Sequence, residues 1–75
     1  MKRAGEVVRV AQGLAVVRCP DEAHPDIGTE LTDQELSTVG RVVDVFGPVE
    51  RPYLAVSPAD GVAMPTLLGE RLYAE

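Results

Sequence analysis

From the amino end, two short runs are rich in valine with few charged residues, Glu6 to Val10 and Leu14 to Cys19. Valine-rich runs of this length and period predict strands, and Ala11-Gln12-Gly13 between them supplies a glycine for a tight reversal, so the pair reads as a β-hairpin. From Pro20 to Gly28 the chain is polar and broken by proline, which predicts a loop. Thr29 to Thr32 allows a short strand, and Asp33-Gln34-Glu35-Leu36 forms either one helical turn or a simple turn with Asp33 as cap. Val39 to Val45 alternates imperfectly, because Val42 and Val43 are adjacent. That break predicts a bent strand that sends side chains both to an interior and to an outer contact, with Gly40 as the bend point. Pro48 and Pro52 cannot donate to a ladder, so pairing stops there and resumes through Tyr53, Leu54, Ala55 and Val56. Ser57 to Gly69 reads as a second loop and Glu70 to Ala74 as a final strand. Six short strands without a long helix predict an all-β fold, a small closed or nearly closed β-barrel, since closure removes the edges that an open sheet exposes.

Length and charge narrow the picture. The 75 residues make a single domain, 1–75, with no second core. A chain this short buries only about 60% of its unfolded surface, and its core supplies roughly 3 to 5 kcal/mol, so a permanent partner, a bound ligand or an ion atmosphere is a natural supplement. Twelve acidic and seven basic residues give a net charge of −5, and Lys2-Arg3 is the only adjacent pair of cations. A polyphosphate is repelled by such a chain, which argues against direct, salt-sensitive RNA binding and suits a protein contact. With no apolar run approaching ~18 residues and no charged-then-apolar leader, the expectation is an intracellular protein with no membrane contact.

Few residues offer chemistry. His24 stands among Asp21, Glu22 and Asp26, but one imidazole beside mobile carboxylates lacks the fixed ligand spacing of a zinc site. Cys19, at the end of a valine-rich strand, reads as a small core residue rather than a nucleophile. Glycine-rich nucleotide-binding patterns are missing. The expectation is therefore no enzyme, no metal and no cofactor. Asp44, placed between Val43 and Val45, either faces solvent or has a partner in the turn or on another protein. Phe46, the only phenylalanine, either fills the barrel end or stands exposed with Pro48, Val49, Pro52 and Tyr53 as a compact apolar ridge. Gly47 supplies a backbone conformation forbidden to bulky residues, and the two prolines stiffen the turn.

The string VGRVVDVFGPVERPYLAV, with the earlier GEVVRVAQG and the terminal GERLY, resembles the glycine-arginine-rich-protein subunit of box H/ACA ribonucleoproteins, the RNA-guided pseudouridylation particles. The resemblance runs from Gly5 to Tyr73 and is most specific at Val39-Gly40, at Asp44-Val45-Phe46-Gly47-Pro48-Val49 and at Pro52-Tyr53. The arginine-glycine-rich extensions of eukaryotic members are missing, so the chain is similar to the bare archaeal form. The resemblance implies a six-stranded barrel that is not itself the catalyst. It implies binding to the catalytic domain of the pseudouridine synthase, joining the guide-RNA particle indirectly through protein, and control of substrate loading and product release in ribosomal-RNA modification and ribosome biogenesis. Carried onto this sequence, it places Gly40 and Gly47 at a bend and a turn, and Asp44, Phe46, Pro48, Val49, Pro52 and Tyr53 at the partner contact. The implied location is the cytoplasm of an archaeon, or the nucleolus in a eukaryote. The competing reading is an autonomous small β-barrel that serves as an interaction or ligand-binding regulatory domain.

Overall fold

The computed structural model describes residues 2–74. Six strands follow one another, β1 (Lys2–Ala11), β2 (Leu14–Arg18), β3 (Glu30–Thr32), β4 (Thr38–Phe46), β5 (Tyr53–Pro58) and β6 (Arg71–Ala74), with one 3-10 helical turn at Met64–Leu67. They close into an antiparallel barrel in the order β1-β2-β5-β4-β3-β6, with β6 returning to β1. The all-β fold and the closed six-stranded barrel expected from the sequence are both found.

The β1–β2 hairpin turns through Gln12 and Gly13, both at positive φ (53° and 76°), so that Ala11 faces Leu14. Two such residues in succession give a turn whose twist matches that of the flanking strands. The Asp33 turn is a simple turn. The Asp33 carboxylate accepts from the backbone N–H of Glu35 at 2.8 Å and of Ser37 at 3.0 Å, and the Asp33 carbonyl accepts from Leu36.

The interior is filled by one face of each strand. Val7, Ala15, Val17, Leu31, Val42, Leu54, Val56 and Leu72 are buried, joined by Cys19 just beyond β2. Alternation along β2 is regular, so Ala15 and Val17 point inward while Val16 and Arg18 point outward. In β1 and β4 it is interrupted once each. The β1–β2 register slips between Val7 and Arg9, and the β4–β5 register slips between Val42 and Asp44. Val8 and Val43 are the extra residues, which is the signature of a β-bulge. The slips leave Val7 and Val42 inside, with Val8 and Val43 outside.

Two strands extend well beyond their expected limits, and one expected loop is partly structured. β1 begins at Lys2 rather than Glu6, because its first half pairs with β6 and closes the barrel. β5 continues through Ser57 and Pro58, where Pro58 faces Gly40. The segment 59–69 is not loop throughout: it contains the 3-10 turn, whose Leu67 is buried, while Val62 and Met64 pack against the same core. The loop expected between Pro20 and Gly28 is found, and its end is tied down by a hydrogen bond from the Gly28 N–H to the Val42 carbonyl.

Candidate functional site

The registers of the β1-β2-β5-β4 wall place outward residues in two adjacent rows. One row runs Glu6, Arg18, Tyr53, Phe46; the other runs Arg9, Val16, Ala55, Asp44. At the end of the first row the rings of Phe46 and Tyr53 stack, with centroids 5.7 Å apart and planes 23° from parallel, within the range of favourable aromatic contacts. Phe46 is nevertheless 44% exposed, and the two bulge residues, Val8 at 38% and Val43 at 43%, are exposed in the same way. Val8, Arg9, Val16, Phe46 and Tyr53 line a shallow groove of about 320 Å³. An apolar, aromatic outer wall on so small a barrel is the kind of surface that another molecule covers.

The turn from β4 to β5 holds Phe46 at the rim of this groove. Gly47 has φ +88°, and a Cβ there would lie 2.7 Å from Cδ2 of the Tyr53 ring. Glycine at this position is therefore required twice, for its conformation and for the close approach of the ring. The Arg51 N–H donates to the Pro48 carbonyl at 3.2 Å, which leaves Val49 at the tip, 82% exposed. The Arg51 Nε donates to the Cys19 carbonyl at 3.2 Å, and the Cys19 N–H donates to the Pro52 carbonyl at 3.0 Å. These bonds fasten the turn to the end of β2, so that Phe46, Pro48 and Val49 sit on a braced support.

Among the residues singled out from the sequence, Phe46, Pro48 and Val49 are exposed and Tyr53 is half-buried beneath Phe46. Pro52 is different. It is not part of an exposed ridge: its carbonyl accepts from the Cys19 N–H and the residue is largely buried under the turn, where it still lines the groove shared by Phe46, Pro48 and Val49. Asp44 faces outward opposite Ala55, and its Oδ1 accepts from the Val45 N–H at 2.9 Å. Gly40 is buried between β3 and β5, where a Cβ would overlap the Ser57 carbonyl oxygen. The bend in β4 is spread to either side of it, through the slip at Val43 and a second slip against β3 opposite Val39.

Residues outside the motif also belong to the site. Val8, Arg9 and Val16 complete the groove beside Phe46. On the far side of the ring, Glu22 and His24 reach from the loop after β2 and line a second groove of about 330 Å³ with Phe46, Pro48 and Val49. The Nδ1 of His24 lies 3.0 Å from the Pro25 carbonyl. The Val7-Val8 doublet, which breaks alternation as Val42-Val43 does, is the one signal in the sequence that points to the β1 contribution. The position of the His24 loop has no local signal.

Cys19 is buried, and burial pushes its thiol pKa up, with a smaller contribution from the charge of Asp21. Its thiolate is therefore disfavoured. Among the described residues no group of three or more His, Cys, Asp or Glu side chains converges as a metal site. The site has the makings of a binding surface: apolar area, stacked rings and a few charges, without a nucleophile and base in register.

The model of a family described as the Gar1/Naf1 RNA binding region matches residues 1–75. A search of curated proteins finds no match. Among solved structures, one described as the structure of the Gar1 domain of Naf1 superposes with a TM-score of 0.74, covering 99% of this chain and 81% of that one. Sequence identity between the two is 12%, so this likeness is one of fold.

Proposed function

Because the chain belongs to the Gar1/Naf1 family, we propose that it is a non-catalytic subunit of the box H/ACA RNA-guided pseudouridylation particle, which docks on the catalytic domain of the pseudouridine synthase. The observation that carries this reading is the exposed Phe46 stacked on Tyr53 at the edge of the Val8–Val16 groove, on a domain with no catalytic machinery among its described residues. Aromatic anchors surrounded by apolar area are the usual centres of protein interfaces. Net charge of −5 favours entry into the particle through protein rather than through the guide RNA. In an archaeal source the particle works in the cytoplasm, and in a eukaryote it works in the nucleolus, on ribosomal RNA and in ribosome biogenesis.

A subunit of this kind acts on its partner's conformational equilibrium. It shifts a mobile element of the synthase only by the difference in its affinity for the two states, and opening or product release commonly limits turnover. The test is Phe46→Ala, with affinity for the purified synthase and multiple-turnover modification measured together. Since an exposed anchor contributes more to binding than to folding, we expect thermal melting close to native and an affinity at least about tenfold weaker, the effect of losing roughly 1.4 kcal/mol or more at a hot spot. Multiple-turnover modification should fall while the single-turnover step is preserved. Native affinity in a folded Phe46→Ala variant would remove this face as the docking site, and failure of the native chain to bind the synthase would defeat the proposal itself.

A further inference from the structure

The two bulges do more than expose Val8 and Val43. Each is followed by a charged residue that resumes the outward row, Arg9 on β1 and Asp44 on β4, at opposite ends of Arg9-Val16-Ala55-Asp44. A bulge re-aims the side chains that follow it, and here two of them bracket an apolar floor with opposite charges. Arg18, in the adjacent row, stands between Glu6 and Tyr53 and adds a second cation at the β1–β2 end. Within 4 Å, the ion pair among the described residues is Arg41–Glu30, at 3.7 Å on another part of the barrel. Arg9, Arg18 and Asp44 thus have no ion-pair partner among the described residues, and Arg9 lines the groove itself.

We infer that the partner meets this wall in a single orientation, with an apolar strip that carries a carboxylate against Arg9 at one end and a cation against Asp44 at the other. This rests on the docking face proposed above and specifies the chemistry of what covers it. A chain with twelve acids and seven bases presents a separated cation and anion across its most apolar wall. Burying either charge without an opposite one is costly, so a protein that covers the wall must answer both. Complementary charges at the two ends also fix the register of an otherwise slippery apolar contact and speed the encounter. Single-stranded RNA would answer Arg9 and Arg18 and stack on Phe46, but its phosphates are repelled by Asp44, by Glu6 and by the net charge.

The sign of the Asp44 effect separates these occupants. Equilibrium binding of the full chain to the purified synthase, and to a labelled single-stranded RNA, is measured at low and high salt for the native protein, Arg9→Glu, Asp44→Lys and Phe46→Ala, each first shown to melt like the native protein. The expected result is that Arg9→Glu and Asp44→Lys each weaken synthase binding about tenfold or more at low salt, since like charges then face each other, and that the loss shrinks at high salt. If both reversals bind within about twofold of native while Phe46→Ala does not, the face stands and the two-charge partner is overturned. If Phe46→Ala also binds like native, the docking face of the preceding proposal fails as well. Tight RNA binding that Asp44→Lys strengthens and Arg9→Glu abolishes would overturn the inference in favour of RNA on this wall.

Discussion

The β1-β2-β5-β4 wall and the seam between β3 and β6 are built on different terms. Along the wall, consecutive strands share ladders of four to six paired residues. At the seam, β3 has three residues and meets β6 through the single pair Thr32–Tyr73, and the Thr32 hydroxyl is buried without a hydrogen-bond partner. Their outer surfaces differ as well. Exposed positions on the seam strands, Glu30 and Arg71, are charged, whereas the wall sets Val8, Val16, Phe46 and Tyr53 among its charged residues. The well-paired side is thus the side that carries the exposed aromatic and valine groups among its charges. A rigid sheet that keeps apolar groups outside is what a preorganised docking surface requires, because little ordering remains to be done on binding.

The largest effect that should break this contrast is at Gly5. Its φ is +153°, and a Cβ there would overlap the Arg18 carbonyl oxygen on β2 and press on Cγ1 of the buried Val17. Gly5→Ala is expected to abolish folding, because the strain exceeds the roughly 3 to 5 kcal/mol that a core of this size provides; circular dichroism and melting read the outcome. A cooperative transition near the native temperature would show that the wall is less tightly set than described. Next comes Leu54→Ala, at a fully buried position on β5, with an expected loss of ~2 to 5 kcal/mol in urea denaturation. Leu31→Ala, equally buried on β3, should fall at the lower end of that range, since a short strand with one residue pair to β6 can collapse onto the cavity. Equal losses at Leu54 and Leu31 would erase the distinction between wall and seam. The smallest change is a gain. Thr32→Val removes an unpaired buried hydroxyl at nearly constant shape and should stabilise by about 1 kcal/mol; destabilisation would mean that the hydroxyl has a partner in solution.

Local pattern carried most of the architecture because most of the barrel is built from neighbours in the chain. The Gln12-Gly13 reversal, the Asp33 turn and the break at Pro48 to Pro52 each follow from residues within a few positions of one another. What escaped depends on distant pairing. Lys2 to Gly5 has no strand pattern of its own and is ordered by β6, and Pro58 is in a strand because Gly40 lets β4 come close. Leu67 is buried by a short helical turn that local composition reads as loop. The site divides in the same way. The Phe46 turn was visible as an odd run of glycine and proline, but the groove beside it needs Val8, Arg9 and Val16, which are brought to Phe46 only by the order of strands in the barrel. Pro52 shows the limit most clearly, since proline and an aromatic neighbour suggest an exposed ridge and only the tie to Cys19 draws it down to the floor of the groove under the turn.

Val8 and Val43 have one more consequence. Deleting either would leave every remaining neighbour on its present face, so neither is needed to keep the inside apolar. Their contribution is curvature: an extra residue on one side of a ladder tightens the local twist, and a closed sheet of six strands must turn sharply at a few places. Both side chains are exposed, Val8 beside the aromatic pair and Val43 on the side of β4 that carries Arg41. The ability of the chain to close on itself and the stickiness of its outer wall therefore descend from the same two insertions, and a lineage that trimmed them to gain solubility would flatten the barrel as it did so.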